Sequence, residues 1–321
     1  MTTRLKPLAL LLALVALTAL ALVAALSIRG AQSADAKPRV IVGLGEQRPD
    51  TFVDPRFRAT GIKAVRVVAS YDVVRTGGKR LAELDAYMAT IKAEGLTPLV
   101  SFSASSVRSR KKKLPSVSQF VRDVKRFRAR YPDVRIYGTW NEANYGTRQP
   151  TGRNPKRTAV FYKRLKRLCR GCTVLVAEYL ANGTKKSKRW LKTFKKALGR
   201  GRHLWGLHNY PDPNYFTTKH TRHFLRNTRG NIWITETGGI VRFADVLLPS
   251  TKRAARALKF AFKLPRLSRR IKRIYIYNWK AHPGDDHWNS GLLSASGKER
   301  PAYYTLFRIL GRTPPPAATT P

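Results

Sequence analysis

The chain has 321 residues, a hydrophobic fraction of 43%, and 63 Lys and Arg against 18 Asp and Glu, giving a formal net charge of +45. The apolar share permits a sizeable core, and the length suits one α/β barrel of ~200–250 residues or two smaller domains. The charge predicts attraction to anionic surfaces and excludes no fold.

The N-terminus opens with Arg4 and Lys6, followed by residues 8–26, apolar apart from Thr18, and a small-x-small site at Ala34-Asp35-Ala36. Residues 1–36 therefore read as a signal peptide or an N-terminal membrane anchor. The apolar run exceeds the ~7–15 residues of an ordinary signal and reaches the ~17–25 of a bilayer span. The cleaved signal is favoured, and either reading makes the protein secreted or extracytoplasmic, with residues 8–26 as the anchor if one is retained.

From residue 40 onward, apolar strand-like runs alternate with amphipathic helices. The predicted strands are residues 40–43, 64–68, 98–102, 135–140, 173–177, 204–208, 231–235 and 274–279. Their Val, Ile and Leu content suits parallel strands covered on the outside. Helices are predicted after the second to eighth strands, at 80–93, 116–130, 156–168, 185–198, 217–226, 251–262 and 301–310; only 53–58 suggests a helix after the first. Gly61, Gly95, Gly171, Gly201 and Gly230 stand where helices should stop. Eight such units over residues 37–312 predict a single-domain α/β fold, a (β/α)8 TIM barrel. A doubly wound open sheet comes second, since Gly43-Leu44-Gly45 has neither a third glycine nor a helix directly behind it.

The two cysteines, Cys169 and Cys172, are spaced to close a small loop between a helix end and the next strand. They have no further cysteines with which to build a zinc site, and no thioredoxin-like context. The Pro/Thr/Ala tail, residues 313–321, reads as disordered. No metal or other cofactor is implied.

Eight of the 18 acids, Glu46, Asp72, Glu142, Glu178, Asp212, Glu236, Asp285 and Asp286, fall shortly after a predicted strand. In a barrel these positions meet on one rim, where active sites sit. Helix capping accounts for Asp72, Asp212 and one or both of Asp285 and Asp286. It accounts poorly for Glu142 and Glu236, which end the fourth and seventh strands about three βα units apart at roughly 30 residues each. Two carboxylates on the ends of different strands of such a repeat are the minimum equipment for cleaving a glycosidic bond.

Trp140-Asn141-Glu142-Ala143-Asn144 resembles the Asn-Glu-Pro motif of the clan A glycoside hydrolases, the retaining (β/α)8 enzymes that include cellulase-like and xylosidase-like families. Ile234-Thr235-Glu236-Thr237-Gly238 is similar to their strand-7 motif. Arg66 on strand 2, His208 and Tyr210 after strand 6, Trp279 after strand 8 and the run from Gly291 to Tyr303 extend the resemblance over most of residues 39–311. Ala143 departs from it, standing where the family has proline. The resemblance implies a retaining glycosidase with Glu142 as acid/base and Glu236 as nucleophile. It also implies Asn141 on the sugar 2-OH, Arg66 and Tyr210 holding Glu236, and His208 and Trp279 lining the sugar site. Opposite protonation of the two glutamates calls for different environments, with Trp140 expected to shield Glu142 or the pH optimum expected to be acidic.

The implied substrate is a poly- or oligosaccharide, with β-linkage expected. Basic runs such as 108–113, 185–189 and 266–273 suit an anionic cell-wall polymer, a membrane surface or an anionic polysaccharide. They suit nucleic acid poorly, having no interleaved stacking aromatics. The alternative is a non-catalytic, basic wall- or carbohydrate-binding barrel.

Overall fold

The apolar runs form strands where expected. They are β1 (Ile41–Gly45), β2 (Ala64–Ser70), β3 (Thr97–Ser103), β4 (Ile136–Gly138), β5 (Thr173–Leu175), β6 (Glu178–Leu180), β7 (Trp205–His208), β8 (Ile232–Thr237), β9 (Arg242–Phe243), β10 (Ile271–Tyr277) and β11 (Trp288–Asn289). The computed structural model describes residues 40–284 and 287–316. The segment read as a signal or anchor, the pair Asp285 and Asp286, and the last residues of the tail lie outside the described residues. Among those described, no helix is long and apolar enough to cross a membrane.

Nine strands pair in parallel in the order β5-β4-β3-β2-β1-β10-β8-β7-β6, while β9 and β11 form a separate antiparallel ribbon. The two ends of the order belong to one stretch of chain. Thr173–Leu175 pairs with β4 and Glu178–Leu180 with β7. Between them, Val176 donates its N–H to the Leu204 carbonyl and Glu178 donates back to the Trp140 carbonyl. Residues 173–180 thus act as one stave bonded on both sides, and the barrel closes with eight staves. The fifth strand runs further than the sequence suggested.

Helices Gly78–Ala93, Val117–Arg130, Pro155–Leu168, Lys185–Leu198, Lys219–Asn227, Thr251–Ala261 and Pro301–Leu310 follow the second to eighth staves. After β1 there are only two short turns, Asp50–Val53 and Pro55–Ala59, in keeping with the weak helical signal there. The helix Lys185–Leu198 shows how the basic sequence folds. The Thr184 hydroxyl accepts from Ser187 N–H, and Trp190, Leu191, Phe194 and Leu198 form a buried stripe. Lys185, Lys188, Arg189, Lys192 and Lys196 stay in solvent on the other side. Cys169 and Cys172 are joined as a disulfide between a helix end and β5, with Cα atoms 5.4 Å apart.

Inside the barrel, the two-residue period of the strands separates a floor from a site. Ala64, Leu99, Ile136, Leu175, Trp233 and Tyr275 form an apolar cluster. Two residues further along the same strands stand Arg66, Ser101, Gly138 and Tyr277. Successive inward positions therefore change from apolar to polar one layer up, towards the C-terminal rim. Gly43 makes the floor feasible, because a Cβ there would sit 2.5 Å from the Tyr275 ring.

Candidate active site

Arg66 is the hub of the polar layer. Fully buried on β2, it donates from Nη2 to Glu178 Oε2 at 2.6 Å and to Asn141 Oδ1 at 2.6 Å, and from Nη1 to Glu236 Oε2 at 2.8 Å. Ser101 adds a 2.7 Å hydrogen bond to Glu178 Oε1. Glycines on both sides leave room for the Glu178 side chain: a Cβ on Gly138 would lie 2.9 Å from its Oε1, and one on Gly206 2.6 Å from its Cγ. Sequence reasoning placed Glu178 on the rim but gave it no role. It is the buried counter-ion that lets a fully desolvated arginine sit beneath Glu236.

Glu236 is held from two sides. Arg66 binds one oxygen, and the Tyr210 hydroxyl donates to the other at 2.9 Å. Burial, together with the charge of Glu236, pushes the Tyr210 phenol well above its ordinary pKa, so it stays a donor.

Glu142 reaches the same space from a strained turn with φ 45°. Three contacts impose this conformation. Asn141 N–H donates to the Phe102 carbonyl at 2.7 Å, Ala143 N–H donates to the Glu178 carbonyl at 2.9 Å, and the Asn144 amide bridges to Leu180 and Ser187. A non-glycine residue in the left-handed region costs about 1–2 kcal/mol, and such strain concentrates at working sites. Ala143 has a reason to replace the proline of the resembling motif: its N–H is needed for the bond to Glu178, and proline has none.

An oxygen of Glu142, an oxygen of Glu236 and a ring nitrogen of His208 lie within 4.8 Å of one another. His208, fully buried at the end of β7, approaches Glu142 Oε1 at 3.3 Å and Glu236 Oε2 at 3.8 Å through Nδ1. The donor set resembles a metal cluster in composition, but both oxygens of Glu236 are already engaged, one by Arg66 and the other by Tyr210.

Burial alone would lower the His208 pKa, yet the charge of Glu236 and the hydrogen bonds to Glu142 and Glu178 outweigh it and raise it to about 9. Burial likewise raises the Glu178 carboxyl, but Arg66 and His208 win and hold it at about 2. The two groups act on opposite limbs of the stability profile. Glu178 adds stability that is complete above pH 4.5 and lost as pH falls towards 2. His208 adds stability that is complete below pH 6.5 and lost as pH rises towards 9. The imidazolium contribution is at most about 3 kcal/mol. His208→Gln should therefore flatten the fall in melting temperature on the alkaline side of pH 6.5. An unchanged alkaline limb in thermal melts would show that His208 is neutral in the folded state.

Of the sequence-derived residues, Glu142, Glu236, Asn141, Arg66, His208 and Tyr210 come together. Trp279 does not. It is 1% exposed, packs edge-on against Phe57 and Tyr303, and donates its indole N–H to Asp54 at 3.2 Å. Tyr277, the last residue of β10, lines the cleft, whereas position 279 lies beyond the strand's end, where the two-residue alternation no longer sets the face. Trp140 likewise packs among Tyr71, Phe120 and Phe161. Asp212 accepts from the N–H groups of His220 and Thr221 at the start of helix Lys219–Asn227, as the capping reading expected.

A cleft of about 660 Å³ opens above the two glutamates, with Tyr145, Tyr277, Trp288 and His287 among its walls. The antiparallel ribbon β9–β11 supplies Trp288 and Phe243, whose rings meet edge-on at 5.2 Å. No strand signal marked this ribbon, because each arm has only two residues. His287 and Trp288 line this cleft.

No protein-family model matches the chain, and no curated protein sequence does. Solved structures do. The GH5_18 protein of Streptomyces cattleya, in complex with GlcNAc, is 13% identical with a TM-score of 0.61, over 89% of this chain and 82% of that one. Xylanase 10B of Thermotoga maritima is 11% identical with a TM-score of 0.61, over 86% of this chain and 96% of that one. An active-site mutant of the β-1,3-glucanosyltransferase of Rhizomucor miehei, in complex with laminaritriose, is 12% identical with a TM-score of 0.56, over 82% and 96%. At these identities the likeness is one of architecture: residues 40–316 fold as the (β/α)8 barrel those proteins share.

Proposed function

We propose that this protein is an exported retaining glycoside hydrolase acting on a β-linked oligo- or polysaccharide. One observation supports this reading above the others: carboxylate oxygens of Glu142 and Glu236 lie within 4.8 Å of each other at the base of an open cleft. Retaining enzymes place their carboxyl groups ~5–5.5 Å apart, and inverting ones ~6.5–9.5 Å apart to admit a water. The barrel neighbours solved with GlcNAc or laminaritriose, and the xylanase, point to carbohydrate as the substrate class.

In this mechanism Glu142 protonates the departing glycosidic oxygen while Glu236 attacks the anomeric carbon, forming a glycosyl ester. Glu142, now a carboxylate, takes a proton from water, whose oxygen attacks the same carbon and frees Glu236. Arg66 and Tyr210 keep Glu236 oriented and ionised. Asn141, its carbonyl fixed by Arg66, turns its NH2 group to the cleft as a donor for the sugar 2-OH. The His208 imidazolium beside both carboxylates stabilises whichever is ionised, Glu236 before its attack and Glu142 in the glycosyl ester.

The test is a panel of aryl β-glycosides and β-glucan, β-mannan and β-xylan polymers, with the anomer of the first product read by NMR. Retention of the β configuration is expected. Release of the α anomer first would refute the double displacement. Binding of glycans without turnover of any panel member would favour the non-catalytic barrel.

A further inference from the structure

A second hollow of about 600 Å³ adjoins the catalytic cleft; Gln47, Val68 and Arg148 line both. The second hollow therefore lies directly beside the cleft, on the side of the loops after β2 and β3. The two spaces differ in character. Around Glu236 the far wall is apolar and aromatic, with Ile240, Phe243, Leu247 and Trp288. In the adjoining arm the charged residues are Arg80, Lys111, Lys112 and Arg148, against Glu83 alone.

The pairing within this arm is uneven. Arg80 is tied to Glu83 at 2.9 Å, and neighbouring Arg110 leans on Asp72 at 3.9 Å, whereas Lys111, Lys112 and Arg148 form no ion pair among the described residues. The lysines sit on an organised loop. Fully buried Asp72 accepts from the Ser105 hydroxyl at 2.8 Å, that hydroxyl accepts from Val107 N–H at 3.2 Å, and two turns follow through Arg110 N–H and Lys113 N–H. Arg148 lies over the Tyr145 ring, 6.0 Å from its centroid, at the junction of the two spaces.

We infer that this arm is an anion-recognising subsite, and that the substrate is a glycan bearing carboxylate or phosphate groups a few sugar units from the scissile bond. The inference rests on the glycosidase reading and specifies its substrate. An unpaired cation on a groove wall lowers the energy of an anionic ligand and does little for a neutral one. The hollow's position lets a chain threaded over Glu142 and Glu236 reach Arg148 first and the lysines next.

The experiment uses the full chain carrying Glu236→Ala, so that ligands persist. Calorimetry measures binding of hexasaccharides of β-1,3-glucan, β-1,4-glucan and β-1,4-mannan, each neutral, C6-oxidised to carboxylate, or C6-phosphorylated. At least one anionic form should bind about tenfold more tightly than its neutral parent, the scale of three modest exposed ion pairs. The preference should shrink with added salt. Adding K111A, K112A and R148A together should reduce it to about twofold or less, while removing three distant charges with R189A, K192A and K196A should leave it intact. The carboxylate and phosphate arms identify which group the subsite prefers. Equal binding of neutral and anionic forms, or equal loss in the distant triple variant, would overturn the inference and attribute any attraction to overall charge. Failure of the glycosidase reading shows differently, as absence of turnover by wild type of a hexasaccharide that it binds.

Discussion

Glu236→Ala is expected to lower turnover of any good substrate by a factor on the order of 10⁴ or more, since it removes the group proposed to form the covalent intermediate. The fold should survive, because Glu236 is part-exposed at the rim and Arg66 keeps Glu178 as its main partner. Azide makes the prediction specific to the role. With an activated aryl glycoside, azide should restore product formation in Glu236→Ala and yield the α-glycosyl azide, because it attacks directly from the vacated face. In Glu142→Ala the glycosyl ester still forms when the leaving group is good, so azide attacks that ester and the product is the β-glycosyl azide. Loss of acid/base assistance should cost about 10²–10⁴-fold with poor leaving groups and far less with good ones. Identical azide products from the two variants would mean that the roles are wrongly assigned.

Arg66→Met is expected to destabilise the protein by about 3–5 kcal/mol, the usual consequence of leaving a buried charge without its partner. The stranded group is Glu178, 0% exposed and 2.6 Å from the guanidinium. If that desolvated carboxylate is the cause, Arg66→Met with Glu178→Gln should recover much of the loss, a coupling readable as a double-mutant cycle in denaturant titrations. Strictly additive losses would show that Arg66 matters through packing alone. Activity separates the two effects, since the rescued double variant still lacks the cation beneath Glu236 and should remain slow.

Much of this site could be read along the chain, because strands recur at regular spacing and their ends converge. Placing Glu142 and Glu236 on the fourth and seventh strands was enough to bring them together, while Arg66, His208 and Tyr210 were singled out by the family resemblance. Glu178 also stood on the rim in sequence. Its role was hidden because only burial to 0% exposure distinguishes a counter-ion from a surface acid. Trp279 misled for the opposite reason. Position 279 lies beyond the end of β10, and the turn of the chain there decided that Tyr277 lines the cleft while Trp279 packs on Phe57.

The barrel is legible in the order of residues, through the alternation of apolar strands and amphipathic helices, and so are the two glutamates, through the scarcity of acids and their placement among so many cations. Those properties are local or periodic, so they survive in one dimension. Tertiary structure alone decided that residues 173–180 form one stave bonded on both sides, that Arg66 balances Glu178 as well as Glu236, and that His208 sits between the carboxylates. It also decided that a second hollow lined by Lys111, Lys112 and Arg148 adjoins the cleft. Each depends on distances between residues far apart in the chain and on how much water reaches them, and both are settled only when the barrel closes.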